Sequence, residues 1–424
     1  MKNRWYRLDN AALIFPATMR KSWSNAFRMS VTLKDPVDPD ILLRAANDIR
    51  PRFPTFFSRL KKGFFWCYLE ETGREVKVKK EYAYPLTHMS EKELKDCCTR
   101  IIYYENRISV EIFHVVTDGT GGLVLLKNLT ARYLELKYGI LVPHENDIVD
   151  ITEEPKEEET RDCFPLCSGK YAMTRAEADS YRLHGTPEEN RFRTITTGIL
   201  PTDVLLGKAH EYGVTATAFL SSVMIEAVRD RQAQDVKENR QKAVKITIPV
   251  NLRKTFGMNT LRNFALTVNV GINPKDGDYS FEEICSQVSH QLASEAVPQK
   301  MAARVAANVI PAESPLLRIA PLPIKTFAMR MVYNRSGESK GSLNISNLGP
   351  AKVPAVMTDY IERFEFIVGV QLTYPNNCSV ISYGGKTYVN MIRDTKDSEL
   401  ERLFFSKLVE HGVPVEIECN RRNS

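Results

Sequence analysis

One stretch, RISVEIFHVVTDGTGGLVLLKNLTARYLELKYG from Arg107 to Gly139, restricts this chain more than any other. Its first part alternates with a period of two and its last part repeats with helical spacing, so a strand must feed a helix. Ile108, Val110 and Ile112 share one strand face, and a continued period sends His114 inward from that face. The helix carries Leu126, Leu129, Tyr133 and Leu136 as its apolar stripe and stops near Gly139. A histidine delivered inward at a strand end, with Asp118–Gly119 just behind it, suits a buried general base.

The remainder mixes strands and helices as a layered α/β (α+β) protein does. A strand is expected over 26–33. DPDILLRAANDIRPRF follows as a helix opened by Asp38–Pro39 and closed before Pro51. GFFWCYLEE and REVKVKKEY read as two strands joined around Gly73, and a helix is predicted over 91–100. Farther on, TDVLLGKAHEYG and VTATAFLSSVMIEAVRD read as helices, and VKITIPVNL and FALTVNVGI as strands. A helix from Phe281 to about Arg304 is interrupted at Pro298. RFEFIVGVQLTY and a hairpin turning at Gly384–Gly385 complete a sheet. The last helix begins near Ser398 with an S-x-x-E box to Glu401. The acidic EEPKEEETRD segment lacks apolar periodicity and reads as a solvated linker. It sets the division near residue 170, giving lobes 1–170 and 171–424.

Length supports that division, because 424 residues exceed what one simple core organises. The 58 basic and 52 acidic residues leave a formal charge of only +6, which is mildly basic. Lys77, Lys79 and Lys80 alternate with Val76 and Val78 as a solvated strand face, so no nucleic-acid partner is expected. Cys97 and Cys98 are adjacent, and Cys163 and Cys167 stand as a CxxxC without a second pair. No metal site is expected, and the thiols read as the free cysteines of a cytoplasmic protein. No run approaches the ~20 apolar residues of a membrane span. GxGxxG, Walker A and G-x-S-x-G strings are absent, which disfavours dinucleotide, nucleoside triphosphate and α/β-hydrolase chemistry.

The His114-to-Gly119 arrangement resembles the HxxxDG signature of the CoA-dependent acyltransferase superfamily. IPVNLRKTFG (Ile248 to Gly257) is similar to the strand-end segment whose arginine, here Arg253, pairs with the motif aspartate. LNISNLGP (Leu343 to Pro350) is similar to the Ser–Asn box of the second lobe, here Ser346 and Asn347. The three occur in the family order, and the opening WYRLDNAALIFPA looks like bacterial members. Alcohol acetyltransferases, wax-ester-synthase-like enzymes and peptide-synthetase condensation domains are the members most resembled. Phe113 replaces the first histidine of the condensation-type HHxxxDG, and the plant DFGWG motif is missing.

The resemblance implies two chloramphenicol acetyltransferase-like lobes, each a mixed sheet flanked by helices, with an active-site tunnel between them. It implies acyl transfer from CoA to an alcohol, with His114 as base and no covalent acyl-enzyme. Acyl-CoA would be a co-substrate, with no permanently bound cofactor, and the protein a monomer. Asp118 could orient the imidazole or pair structurally with Arg253, and the resemblance favours the pair. Gly119 would leave room beside the histidine, while Ser346 and Asn347 would face the channel near the oxyanion. Lys254, Arg262 and Lys340 lie near these segments as candidates for the CoA phosphates. The alternatives are a condensation-like enzyme with an amine acceptor or carrier-protein thioester, and a catalytically silent binding protein.

Overall fold

The computed structural model describes residues 4–20, 23, 25–173, 177–333, 339–371 and 374–421. Strands β1 (Trp5–Arg7), β2 (Ala26–Leu33), β3 (Ser58–Lys62), β4 (Cys67–Glu71), β5 (Val78–Lys80), β6 (Thr99–Tyr104) and β7 (Arg107–Phe113) come first. They are followed by β8 (Thr194–Pro201), β9 (Val244–Asn251), β10 (Ala265–Ile272), β11 (Leu343–Pro350) and β12 (Ile361–Val368). The last are β13 (Asn376–Tyr383), β14 (Lys386–Arg393) and β15 (Glu416–Cys419). They form a five-stranded sheet β12-β2-β7-β6-β5, a seven-stranded sheet β10-β9-β11-β13-β14-β8-β15 and a small sheet β1-β4-β3. Both large sheets are mixed: β6 pairs parallel with β5, and β11 pairs parallel with both β9 and β13. The chain is therefore a mixed α/β protein built on two large sheets.

β7 runs through the middle of the five-stranded sheet, paired with β2 and β6. Ile108, Val110 and Ile112 pack under the Gly119–Tyr138 helix in a core that also holds Phe27, Met29 and Leu126. The opposite face of β7 is equally dry but polar. There Arg28 bonds Glu81, Ser109 Oγ at 2.7 Å and Glu111 at 3.3 Å, and Arg100 holds the other Glu111 oxygen at 3.1 Å. Alternation thus survives because buried charges are paired, not because one face meets water. β12 belongs to the C-terminal side of residue 170, yet it pairs antiparallel with β2, Ile361 opposite Leu33. The second sheet carries its own core, with Phe219, Val223, Val268 and Phe404 among its buried residues.

Several expected elements form within their predicted stretches. Asp38 caps the Pro39–Ile49 helix, Thr215 caps Ala216–Asp235, and Gly384–Gly385 turn between β13 and β14 with φ of 57° and 79°. Pro298 opens a new helix, Pro298–Glu313, after Phe281–Glu295 ends. Others differ. β4 and β5 do not pair with each other: β4 joins β1 and β3, whereas β5 joins β6. The helix predicted over 91–100 is only Glu91–Leu94, because Thr99 already enters β6. At Ser398 the side chain makes no cap bond; Asp397 accepts from the Glu399 N–H, and Glu401 is buried against Arg393 at 2.8 Å. The acidic linker is partly tied down, since Glu159 grips the buried Arg52 at 2.6 and 2.7 Å. β12 ends at Val368, and Leu372 and Thr373 of its expected continuation lie outside the described residues.

Candidate active site

β7 ends at Phe113, and His114 is the first residue of the turn that follows. Its N–H donates to Asn25 O at 2.8 Å, one step beyond the Ala26–Phe113 pair, so sheet geometry still fixes its backbone. Asn25 itself has φ of 45° and ties Phe15 O and Thr18 Oγ1 through its amide at 3.2 Å. That tie brings the Phe15 ring onto the imidazole, stacked with centroids 4.7 Å apart. Phe27 meets the same imidazole edge-on at 5.2 Å. His114 is half-buried, neither sealed nor lying open on the surface.

The imidazole's partner is Asn263, which the sequence did not single out. His114 Nδ1 and Asn263 Oδ1 are 2.8 Å apart. The amide of Asn263 donates to His114 O at 2.9 Å and to Asp9 Oδ2 at 3.0 Å. With both amide protons committed to acceptors, Oδ1 must be the end that faces Nδ1. Nδ1 therefore carries the proton, and Nε2 keeps its lone pair free to accept another. Asp9 is fully buried, accepts from Ala12 N at 2.8 Å and pairs with Arg262 at 3.3 Å. An Asp9–Asn263–His114 chain thus fixes ring and tautomer from residues 105 and more positions apart in sequence.

Asp118 sits outside that chain. It caps the Gly119–Tyr138 helix through Thr120 N and Gly121 N, at 3.1 and 3.2 Å. Arg253 meets it with two nitrogens at 2.8 and 3.1 Å, and Phe264 N donates to the same carboxylate at 2.8 Å. Burial pushes this carboxyl up, but the Arg253 guanidinium and the backbone donors outweigh it and hold it below the usual range. Arg253 in turn donates to Thr260 O at 2.7 Å and Arg262 O at 2.6 Å. The two thus lock the helix start onto the 251–264 segment, which presents Asn263.

Gly119 faces Leu348 of β11 in the second sheet and Phe366 of β12 in the first. A Cβ there would stand 3.0 Å from Leu348 Cδ2 and 3.3 Å from Phe366 Cζ, so the end of β11 lies against the helix start. Gly121 is more tightly enclosed: its Cβ would fall 2.0 Å from Thr117 Oγ1 and 2.6 Å from Leu261 O. Asn347, on β11, donates to Thr217 Oγ1 at 3.0 Å and accepts from Gly349 N at 2.8 Å. One amide proton of Asn347 remains beyond those bonds, and the neighbouring Ser346 is half-buried. Of the three cations near the motifs, Lys254 is exposed and Lys340 bonds Asp179 at 2.8 Å. Arg262 is a correction: it is 1% exposed and held by Asp9, Arg7 O and Thr160 O, so it cannot reach a CoA phosphate.

No family model and no curated protein matches this sequence. Solved structures do match. TRI101 of F. sporotrichioides, solved with coenzyme A and T-2, superposes with a TM-score of 0.65 at 11% identity, over 97% of this chain and 99% of that one. Polyketide synthase associated protein 5 from Mycobacterium tuberculosis gives 0.59 at 13%, over 96% and 97%. The first condensation domain of the CDA synthetase gives 0.59 at 13%, over 97% and 99%. The chain shares its overall fold with TRI101, the mycobacterial protein and the condensation domain.

Proposed function

We propose that this protein is an acyltransferase that moves an acyl group, acetyl foremost, from CoA to the hydroxyl of a small-molecule alcohol. The observation that carries the reading is the fixed tautomer of His114, with Nδ1 bonded to Asn263 and Nε2 left as a base. Nε2 takes the proton of the acceptor hydroxyl as its oxygen attacks the thioester carbonyl. The tetrahedral oxyanion collapses with loss of the CoA thiolate, which recovers the proton from the imidazolium. No acyl-enzyme intervenes. Base catalysis of this kind is worth roughly 10² to 10⁴ in rate.

Asp118 and Arg253 hold the helix start and the Asn263 segment in place, and neither takes the proton. The missing side chain at Gly119 lets Leu348 and Phe366 close onto the helix start. The Ser346 hydroxyl and the second amide proton of Asn347 are the donors assigned to the oxyanion, where a fixed donor contributes about 3–4 kcal/mol. The test is thiol release from acetyl-CoA and longer acyl-CoAs, with a panel of alcohols and amines. Acceptor-dependent release with alcohols is expected. Release only with amines would make the protein a condensation-like N-acyltransferase, and none with any donor would leave a binding protein.

A further inference from the structure

The helix Leu322–Val332 is amphipathic in the reverse sense. Its cation is inside: Lys325 is 1% exposed, bonds Phe65 O at 3.1 Å and Arg318 O at 3.2 Å, and lies 3.4 Å over the Trp66 ring. Its large apolar side chains are outside. Ile324 is 61% exposed, Phe327 67% and Met331 57%, at the i, i+3, i+7 spacing of one helical stripe. Val332 at 65% and, one short helix earlier, Ile319 at 68% extend the same apolar surface. The tip of the β3–β4 hairpin adds Phe64, 72% exposed, whose carbonyl accepts from Leu322 N at 2.9 Å.

Isolated exposed apolar residues are ordinary, but a stripe joined to an aromatic hairpin tip is not. Two observations indicate what covers it. From Ser314 to Tyr333 the only residues charged at neutral pH are Arg318, Lys325 and Arg330, with no carboxylate. Arg318 and Arg330 are both exposed at the ends of the stripe. Near the stripe lies a cavity of about 790 Å³, lined by Trp5, Leu13, Phe65, Trp66 and Val309 and, among charged residues, by Arg318 together with Glu70, Asp162 and Glu313. Leu13 of that wall belongs to the turn that leads directly into Phe15, the ring stacked on His114.

We propose that this face seats the protein on an anionic lipid surface, with Ile324, Phe327, Met331 and Phe64 entering the acyl boundary and Arg318 and Arg330 meeting the headgroups. An apolar stripe flanked by cations and free of acids is what an interfacial helix presents. No described helix is long and apolar enough to cross a membrane, so the contact is peripheral. Docking does not rest on the acyl-transfer reading.

The experiment is co-sedimentation of the full chain with vesicles of phosphatidylcholine alone and of phosphatidylcholine with about one-third phosphatidylglycerol. Wild type is expected to bind the anionic vesicles, and Phe327→Glu to lower that binding at least tenfold at an unchanged melting temperature. The Arg318→Gln/Arg330→Gln pair removes the preference for anionic over neutral vesicles. Wild type that stays in the supernatant, or Phe327→Glu that binds as wild type does, overturns the proposal. So does a sedimentation-velocity dimer that Phe327→Glu dissociates without any vesicle binding, which would assign the face to a second copy. Should Phe327→Glu fail to fold, Ile324→Ser with Met331→Ser serves the same comparison.

Discussion

Replacing Asn263 with alanine tests how the site is held together. Its side chain makes three bonds: to His114 Nδ1 at 2.8 Å, to His114 O at 2.9 Å and to Asp9 Oδ2 at 3.0 Å. Asp9 keeps Ala12 N and Arg262, so it is weakened but not orphaned. An unsatisfied buried acceptor costs about 1–3 kcal/mol, which puts the stability loss at about 2–5 kcal/mol. The bond to Nδ1 matters differently for rate. As Nε2 takes a proton, the ring becomes a cation and the Nδ1–H···Oδ1 bond turns charge-assisted, a gain realised only toward the transition state. Losing about 1.5–3 kcal/mol there lowers kcat by roughly 10- to 150-fold. The assay is CoA release under saturating substrates, at a temperature where circular dichroism shows the variant folded. Because Asn263 acts through the imidazole, Asn263→Ala should cost no further rate once His114 is alanine. Equal losses in both backgrounds, or a folded Asn263→Ala of wild-type kcat, would mean that Asn263 does not act through the imidazole.

Gly121→Ala should destabilise by about 3 kcal/mol, because its Cβ meets Leu261 O and Thr117 Oγ1, whereas Gly119→Ala meets only side chains, a Leu348 methyl and the Phe366 ring edge, and should cost about 1 kcal/mol. Thermal melts of the two separate these roles. Asp118→Ala should cost about 3–5 kcal/mol at neutral pH by stranding the Arg253 charge. The carboxyl is held below its ordinary value, so its contribution is present above pH ~4 and is lost only as acid titrates the folded protein. Asp162 runs the other way. Burial, then the nearby Asp9 charge, pushes its carboxyl up to about 6, so the folded state holds the proton more tightly than the unfolded chain. Wild-type stability should therefore fall relative to Asp162→Asn by about 2 kcal/mol as pH rises from ~4 to ~7, read from urea midpoints. An unchanged gap would show that Asp162 titrates normally.

Much of this fold was legible because local chemistry and tertiary context agree. β7 and its helix were readable from period and caps, and Gly384–Gly385 from the positive φ their turn requires. The Asp118–Arg253 contact expected from the motifs is present at 2.8 Å. What failed was decided across the chain. Nothing in REVKVKKEY says that its pairing partner is β6 instead of β4, since both are short and amphipathic. Ser398 has a capping sequence, but Glu401 is drawn into the core by Arg393, and Asp397 supplies the bond. Arg262 reads as a surface cation, yet buried Asp9 claims it. Asn263 carries no motif of its own. Its importance arises because Arg253 and Phe264 N, on either side of it, both anchor on Asp118 and leave its amide facing His114.

In the proposed reaction, Nε2 of His114 removes the acceptor proton. Acceptor-dependent CoA release by folded His114→Ala, set beside wild type at equal donor binding, measures it directly. His114→Ala should lose roughly 10² to 10⁴ in kcat with the donor KM little changed. Turnover within a few-fold of wild type would contradict it.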